Sequence, residues 1–328
     1  MTYRIKYIDS IKGIAILLML LGHCMSQKNM LSMWISSFNM PLFFIISGFL
    51  FSYRNKNNQE FQSMIKNKIL KLMVPYFIFS LILAIFFCVL DFLNSGEFMS
   101  NLYKYVIRII ELKGIESLWF IPCLFITEIV FYLINNKFDK KTTYIMVLSI
   151  YFICAIVGYN KNDLWFSVLF KSGVALLFFA FGYIMQKYIG LYKFSTTFIL
   201  LINIIYIILF RLNGFVGLGA FELNNIFLFV ILGITGSVGI IFLMIKLENI
   251  DFKLLNFLGS NTIIILCTNN IIIEIIRLLD YKICGNELIS MGLLGSFVLL
   301  IIVTLLEMLI IYISNKYLYY LFGKKKTA

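Results

Sequence analysis

Ten times along this chain the sequence runs through 18 or more residues that are almost entirely apolar. Hydrocarbon offers the backbone no hydrogen-bond partner, so a stretch of about 17–25 such residues crosses a bilayer as a helix. The stretches are Ile8–Met25, Met33–Tyr53, Leu72–Leu93, Leu118–Asn135, Thr142–Tyr159, Leu164–Tyr188, Phe194–Arg211, Asn225–Lys246, Asn261–Leu279 and Met291–Leu321. Nothing between them is long enough for a second domain. The composition agrees: 61% of residues are hydrophobic and 13% charged, where a soluble domain has about 25% charged. The expectation is an all-α, polytopic integral membrane bundle of about ten transmembrane helices, forming one domain over residues 1–328 with no separate soluble domain. Glu60–Lys71 and Asn94–Gly114 read as amphipathic connectors.

The net charge of +12 is explained by where the basic residues fall. With the N-terminus in the cytoplasm, 19 of the 28 Lys and Arg lie in cytoplasmic segments, as the positive-inside rule requires for ten spans with both termini cytoplasmic. The bilayer accounts for the charge, and no nucleic-acid partner is expected. The six cysteines sit mostly in apolar runs without paired spacing, so they read as small hydrophobes. Pro41, Pro75 and Pro122 are expected at or just inside helix starts. Gly233, Gly236, Gly239, Gly292 and Gly295 are expected at close helix contacts. The charged N-terminus mimics a signal peptide, but no small-x-small cleavage pattern follows, so the first helix is expected to be retained.

Polar groups inside apolar stretches are the candidate functional residues, because each is costly there. His23 is the only histidine in 328 residues. Lys12 precedes it by eleven positions, three helical turns plus about 20°, so both share a face and lie roughly 16 Å apart. Asp9 is on the same side, farther from His23. Burial is expected to keep the imidazole neutral and able to accept a proton. Glu128, mid-span, is a candidate orienter of His23 or partner of Lys12. Lys171 and Arg211, toward one end of their helices, can line an acceptor cleft. Thr268, Asn269, Asn270 and Glu274 form a polar patch. Ser47-Gly48 is a small pair suited to close packing. The sequence holds no Ser/His/Asp elbow, phosphate loop or metal cluster, and no metal is expected.

Lys12, ten residues, His23, then Met40-Pro41-Leu42-Phe43-Phe44-Ile-Ile-Ser47-Gly48 resembles the acyltransferase 3 family of membrane acyltransferases. The resemblance continues through Lys71-Leu-Met-Val-Pro75-Tyr76, Leu118-Trp119-Phe120-Ile-Pro122, Phe181-Gly182-Tyr183 and Phe257-Leu-Gly259-Ser-Asn261-Thr262. It implies transfer of an acyl group, acetyl above all, from cytoplasmic acyl-CoA to a hydroxyl of an extracytoplasmic glycan or glycolipid. His23 would be general base or acyl carrier, with Glu128 and Asn269 beside it in catalysis. Relatives often carry a second histidine near Asn269; here imidazole chemistry rests on His23 alone. Lys12, Arg54 and Lys71 would take the donor phosphates, and Asp9, Ser47, Trp119, Lys171 and Arg211 would complete the substrate contacts. The donor is a substrate, and no permanently bound cofactor is implied. The plasma membrane of a bacterial-type cell is the expected location. A transporter or flippase of a lipid-linked saccharide, or another surface-polymer assembly protein, is the alternative that ten spans and a polar stripe also allow. Acceptor, acyl chain and oligomeric state, homo-oligomer included, are open at this point.

Overall fold

The computed structural model describes residues 6–25, 27–55, 61–96, 98–159, 165–189 and 196–324, without the side chains of residues 54, 55, 94, 95, 196, 198 and 289. Among them the fold is helical, with one isolated β-bridge between Gly217 and Glu222 and no strand. The helices are α1 (Lys6–Cys24), α2 (Met30–Asn55), α3 (Phe61–Lys68), α4 (Val74–Ser95), α5 (Phe98–Ile110), α6 (Phe120–Lys137) and α7 (Lys140–Val157), then α8 (Ser167–Tyr188), α9 (Thr196–Asn213), α10 (Ile226–Lys246), α11 (Lys253–Gly259), α12 (Thr262–Leu279), α13 (Glu287–Ser290) and α14 (Leu293–Tyr317). Nine segments among the described residues are long and apolar enough to span a bilayer. The shorter apolar helix of α9 falls on the remaining expected stretch. The chain is therefore a polytopic, all-α membrane protein.

The helices cluster into two compact units. The first holds Met1–Gln59, Thr127–Asn162 and Phe170–Thr262; the second holds Glu60–Ile126, Asp163–Leu169 and Ile263–Ala328.

The first unit is built on two close backbone approaches. A methyl group on Gly13 of α1 would strike the carbonyl of Leu255 in α11, and one on Gly259 would strike the carbonyl of Asp9. The same reciprocity joins α2 and α8: Gly48 meets the carbonyl of Phe179, and Gly182 meets that of Ile45. Glycine is required at all four because helix axes this close leave no volume for Cβ. An aromatic cluster of Phe51, Phe131, Phe179 and Tyr183 fills the space among α2, α6 and α8, with tilted and edge-on rings 4.9–6.2 Å apart. Asp139 caps α7 by accepting from the Lys141 and Thr142 amides. The bonds from Thr142 hold its carboxyl below the usual carboxylate range.

Two expectations are corrected here. Pro41 does not start a helix; it lies in the middle of α2. The bilayer favours an unbroken span, and neighbours absorb the lost bond. The N–H that the proline lacks would have met the Ser37 carbonyl; Ser237 Oγ on α10 donates one residue further on, to the Phe38 carbonyl at 3.5 Å, and Gly233 leaves room for the proline ring. Gly292 is not a packing site. Nothing lies within 4 Å of where its Cβ would be, and its φ of +59° instead ends the turn before α14. Gly233, Gly236, Gly239 and Gly295 do sit at close contacts.

In the second unit, α3 runs through a π-helical turn (Ile69–Met73) into α4, so the first expected connector is continuous with the span. Helix α5 lies against α4, with the Tyr76 hydroxyl donating to the Ile109 carbonyl at 3.0 Å and Asp91 accepting from Asn101 and Tyr105. Met99, Tyr103 and Ile110 are exposed on α5, the pattern of a helix lying in the membrane interface.

Candidate active site

Helix α1 carries the site's axis. It is unbroken from Lys6 to Cys24, with Asp9 in its first turn and His23 in its last, both favourable toward the helix dipole. Its N-terminal half is held rigidly. Lys12 Nζ is 2.8 Å from Asp9 Oδ1, Ser10 Oγ donates to Asn256 Oδ1 at 2.6 Å, and the two glycine contacts pin α11 alongside. Asp9 and Lys12, expected as one end of a stripe, are thus a bonded pair. Lys12 keeps 21% of its side chain exposed against 10% for Asp9.

The other end of α1 is open on one side, while Leu20, Leu21 and Cys24 are buried on the others. No neighbouring atom lies within 4 Å of where a Cβ on Gly22 would be, and His23 is half-buried. The imidazole is less enclosed than expected, although Ala15, Ile16 and Leu20 of the same helix are fully buried. Lys12 and His23, three turns apart, are both half-buried, but only Lys12 lies beside a closely approaching helix.

Beyond this end, α2 begins at Met30 and packs on α9 and α10. Trp34, Phe38 and Tyr206 stack edge-on at 5.0–6.4 Å, and the Tyr206 hydroxyl bonds Ser37 and the Trp34 carbonyl. The segment from α9 to α10 is fixed by asparagines. Asn213 Oδ1 accepts from the Asn225 amide at 2.9 Å, and Asn224 donates to the carbonyls of Asn213 and Phe215. Lys28 pairs with Glu222 at 3.5 Å and lies over the Phe215 ring at 4.5 Å. Arg211 is exposed, with Nη2 2.8 Å from Met30 Sδ. These cations stand at the same end of α2 and α9 as Met30.

Glu128 and Lys171 are each 3% exposed, on α6 and α8. Thr127 Oγ1 donates to the Ser172 carbonyl at 3.2 Å, so the two charged residues lie at one level on neighbouring helices. Lys171 does not snorkel to an aqueous surface. Ser47 spends its hydroxyl on the Phe43 carbonyl of its own helix at 2.8 Å. The side chain of Arg54 lies outside the described residues.

Lys71, Trp119 and Asn269 belong to the second unit. Lys71 is exposed. Asn269 is fully buried. Its Nδ2 lies within reach of the Ile265 and Leu266 carbonyls and of Ser117 Oγ, while Oδ1 has no partner. Asn270 also donates to Ser117 Oγ, at 2.7 Å. Together they tie the turn Glu116–Trp119 to α12.

Sequence reasoning missed Ser117 and Glu307. Glu307 is fully buried on α14, with its two oxygens 3.0 and 2.9 Å from Thr268 Oγ1. The signal was available, since Glu307 is the only acidic residue in its span.

A bundle of apolar helices, one of them carrying an imidazole and a lysine three turns apart, defines a polytopic membrane protein with titratable groups in a span. A family model described as an acyltransferase domain, acyltransferase 3, matches residues 5–313. The chain belongs to that family and is a membrane acyltransferase. No curated protein and no solved structure matches it.

Proposed function

We propose that the protein moves an acyl group, acetyl first among candidates, from cytoplasmic acyl-CoA to a hydroxyl of an extracytoplasmic glycan or glycolipid, with His23 as the proton-transferring residue. The observation that carries this reading is the contrast along α1, a clamped cationic end and an open end bearing the only imidazole. The positive-inside bias puts Lys12 on the cytoplasmic side and His23 on the outer side. The roughly 16 Å between them is close to the reach of an extended pantetheine arm.

In the proposed reaction His23 takes the acceptor hydroxyl's proton as the oxygen attacks the thioester carbonyl. The C–S bond breaks, and the proton passes to the departing CoA thiolate. An acyl-imidazole formed first at His23 gives the same products in two steps. Lys12, oriented by Asp9, meets the donor phosphates, with Arg54 as a further cation. Glu128 and Lys171 set the field within the first unit, and Arg211 meets the acceptor. Asn269 holds the Trp119 turn as a positioning residue. Lys71, Trp119 and Ser47 are assigned to the substrates through the family motifs.

Membranes carrying the protein, supplied with labelled acetyl-CoA, should place label on surface glycan or glycolipid. His23→Ala should insert to the same level and place none. Full labelling by that variant would remove His23 from the reaction.

A further inference from the structure

The second unit has a cleft where α12 ends. After Leu279 the chain makes a π-helical turn (Asp280–Cys284), reverses through Gly285 and Asn286 at φ +64° and +68°, and forms α13. These elements border an open-sided space of about 300 Å³. Its walls are mainly apolar, with Ile276, Leu279, Ile283 and Met291 among them. Leu279 is 50% and Ile283 75% exposed, which in a membrane span means contact with lipid chains. The two charged residues in the lining are both acidic, Asp280 and Glu287.

Asp280 is the unusual member. It is 4% exposed. Oδ1 accepts from the Leu288 amide at 3.3 Å, but Oδ2 has no hydrogen-bond partner. No Lys or Arg among the described residues pairs with it. A buried carboxyl with an idle oxygen is costly unless a donor reaches it. The apolar walls leave the donor to come from whatever enters the cleft. That occupant has a hydrocarbon body, to suit the walls, and a cationic N–H donor, to suit two carboxylates.

We infer that this cleft binds a bilayer lipid with a primary-ammonium headgroup, the buried Oδ2 of Asp280 turning outward to meet the ammonium, with Glu287 near it and the chains against α12. Phosphatidylethanolamine has this chemistry. Phosphatidylcholine has the charge but no N–H, and phosphatidylglycerol has hydroxyl donors but no cation.

Cys284 lines the same cleft and is exposed, so it reports occupancy. The full chain is placed in nanodiscs of phosphatidylcholine containing phosphatidylethanolamine, phosphatidylglycerol or neither. The rate of maleimide addition to Cys284 is read at that peptide. Phosphatidylethanolamine should slow it about tenfold, the size of one charge-assisted hydrogen bond, and the other two bilayers should not. Asp280→Asn keeps Oδ1 for the Leu288 amide and should abolish the slowing. Equal rates in all three bilayers, equal protection by phosphatidylglycerol, or protection surviving Asp280→Asn each overturn the proposal. Should Asp280→Asn not fold, native mass spectrometry of the unaltered protein from a mixed bilayer decides it, since failure to retain phosphatidylethanolamine preferentially is equally fatal.

Discussion

Gly13 and Gly22 lie nine residues apart on α1, yet the first has a carbonyl where its Cβ would be and the second has nothing within 4 Å. The glycines mark the two ends of one helix as different kinds of structure. Around Gly13 are a bonded ion pair, a 2.6 Å hydrogen bond and a neighbouring helix at backbone distance. Around Gly22 are open space and a half-buried imidazole. The packed end fixes where the open end points. Change at the first should therefore act through folding, and change at the second through chemistry.

The largest effect is expected at the open end. His23→Ala removes the proposed proton acceptor and should lower acyl transfer about 10²–10⁴-fold without altering membrane insertion or thermal unfolding. A parallel loss of folded protein would mean that the open end is structural after all, and the comparison would fail.

Gly259→Ala comes next and should show the opposite signature. Its methyl has to displace the Asp9 carbonyl, a backbone atom, and overpacking of this sort costs about 1–3 kcal/mol. A lower unfolding temperature in detergent, with the activity of the surviving folded fraction unchanged, is the expected result. Unchanged stability would show that α11 is loosely held.

The difference between the ends also explains what sequence could and could not show. The spans were legible because a bilayer demands a long apolar run wherever the chain crosses. His23 stood out because a titratable group in such a run is rare. The pairing of Asp9 with Lys12 is a spacing of three, readable in principle, but helical periodicity puts Asp9, Lys12 and His23 on one side alike and does not say which of them bond. The family motifs hid a structural role. Gly13 and Gly259 lie in motifs more than 240 residues apart, and only folding brings each against the other helix. Gly48 and Gly182 likewise reveal themselves as one interface only in three dimensions. Pro41 was misplaced because a helix-start rule drawn from exposed helices ignores how strongly a bilayer holds a span together. Asp280 is not legible in this way, since nothing in local sequence tells whether a carboxyl at a span's end is exposed or enclosed, whereas Glu307, in the middle of α14, is legible by the same rule as His23.

A smaller effect separates charge from packing at the clamped end. Lys12 is held by Asp9, so part of its charge is already compensated. If Lys12 meets the donor phosphates, Asp9→Asn should strengthen acyl-CoA use and Lys12→Ala should weaken it. Each change in KM should be about fivefold, corresponding to roughly 1 kcal/mol, with acceptor KM unmoved. Opposite signs on the donor alone support a donor site there. Losses of the same sign in both variants, tracking lower stability, would reduce the pair to a structural clamp.

The smallest change tests the open space itself. Gly22→Ala adds one methyl where no neighbouring atom stands, and alanine is the better helix former by about 0.5–1 kcal/mol. The folded protein should therefore be as stable as before or slightly more so, in contrast to Gly259→Ala. If the acceptor occupies that space beside His23, the same methyl should raise acceptor KM while leaving donor KM alone. A gain in stability with both KM values unchanged would mean that the space next to Gly22 faces lipid chains, and the acceptor would then have to reach His23 from another side of α1.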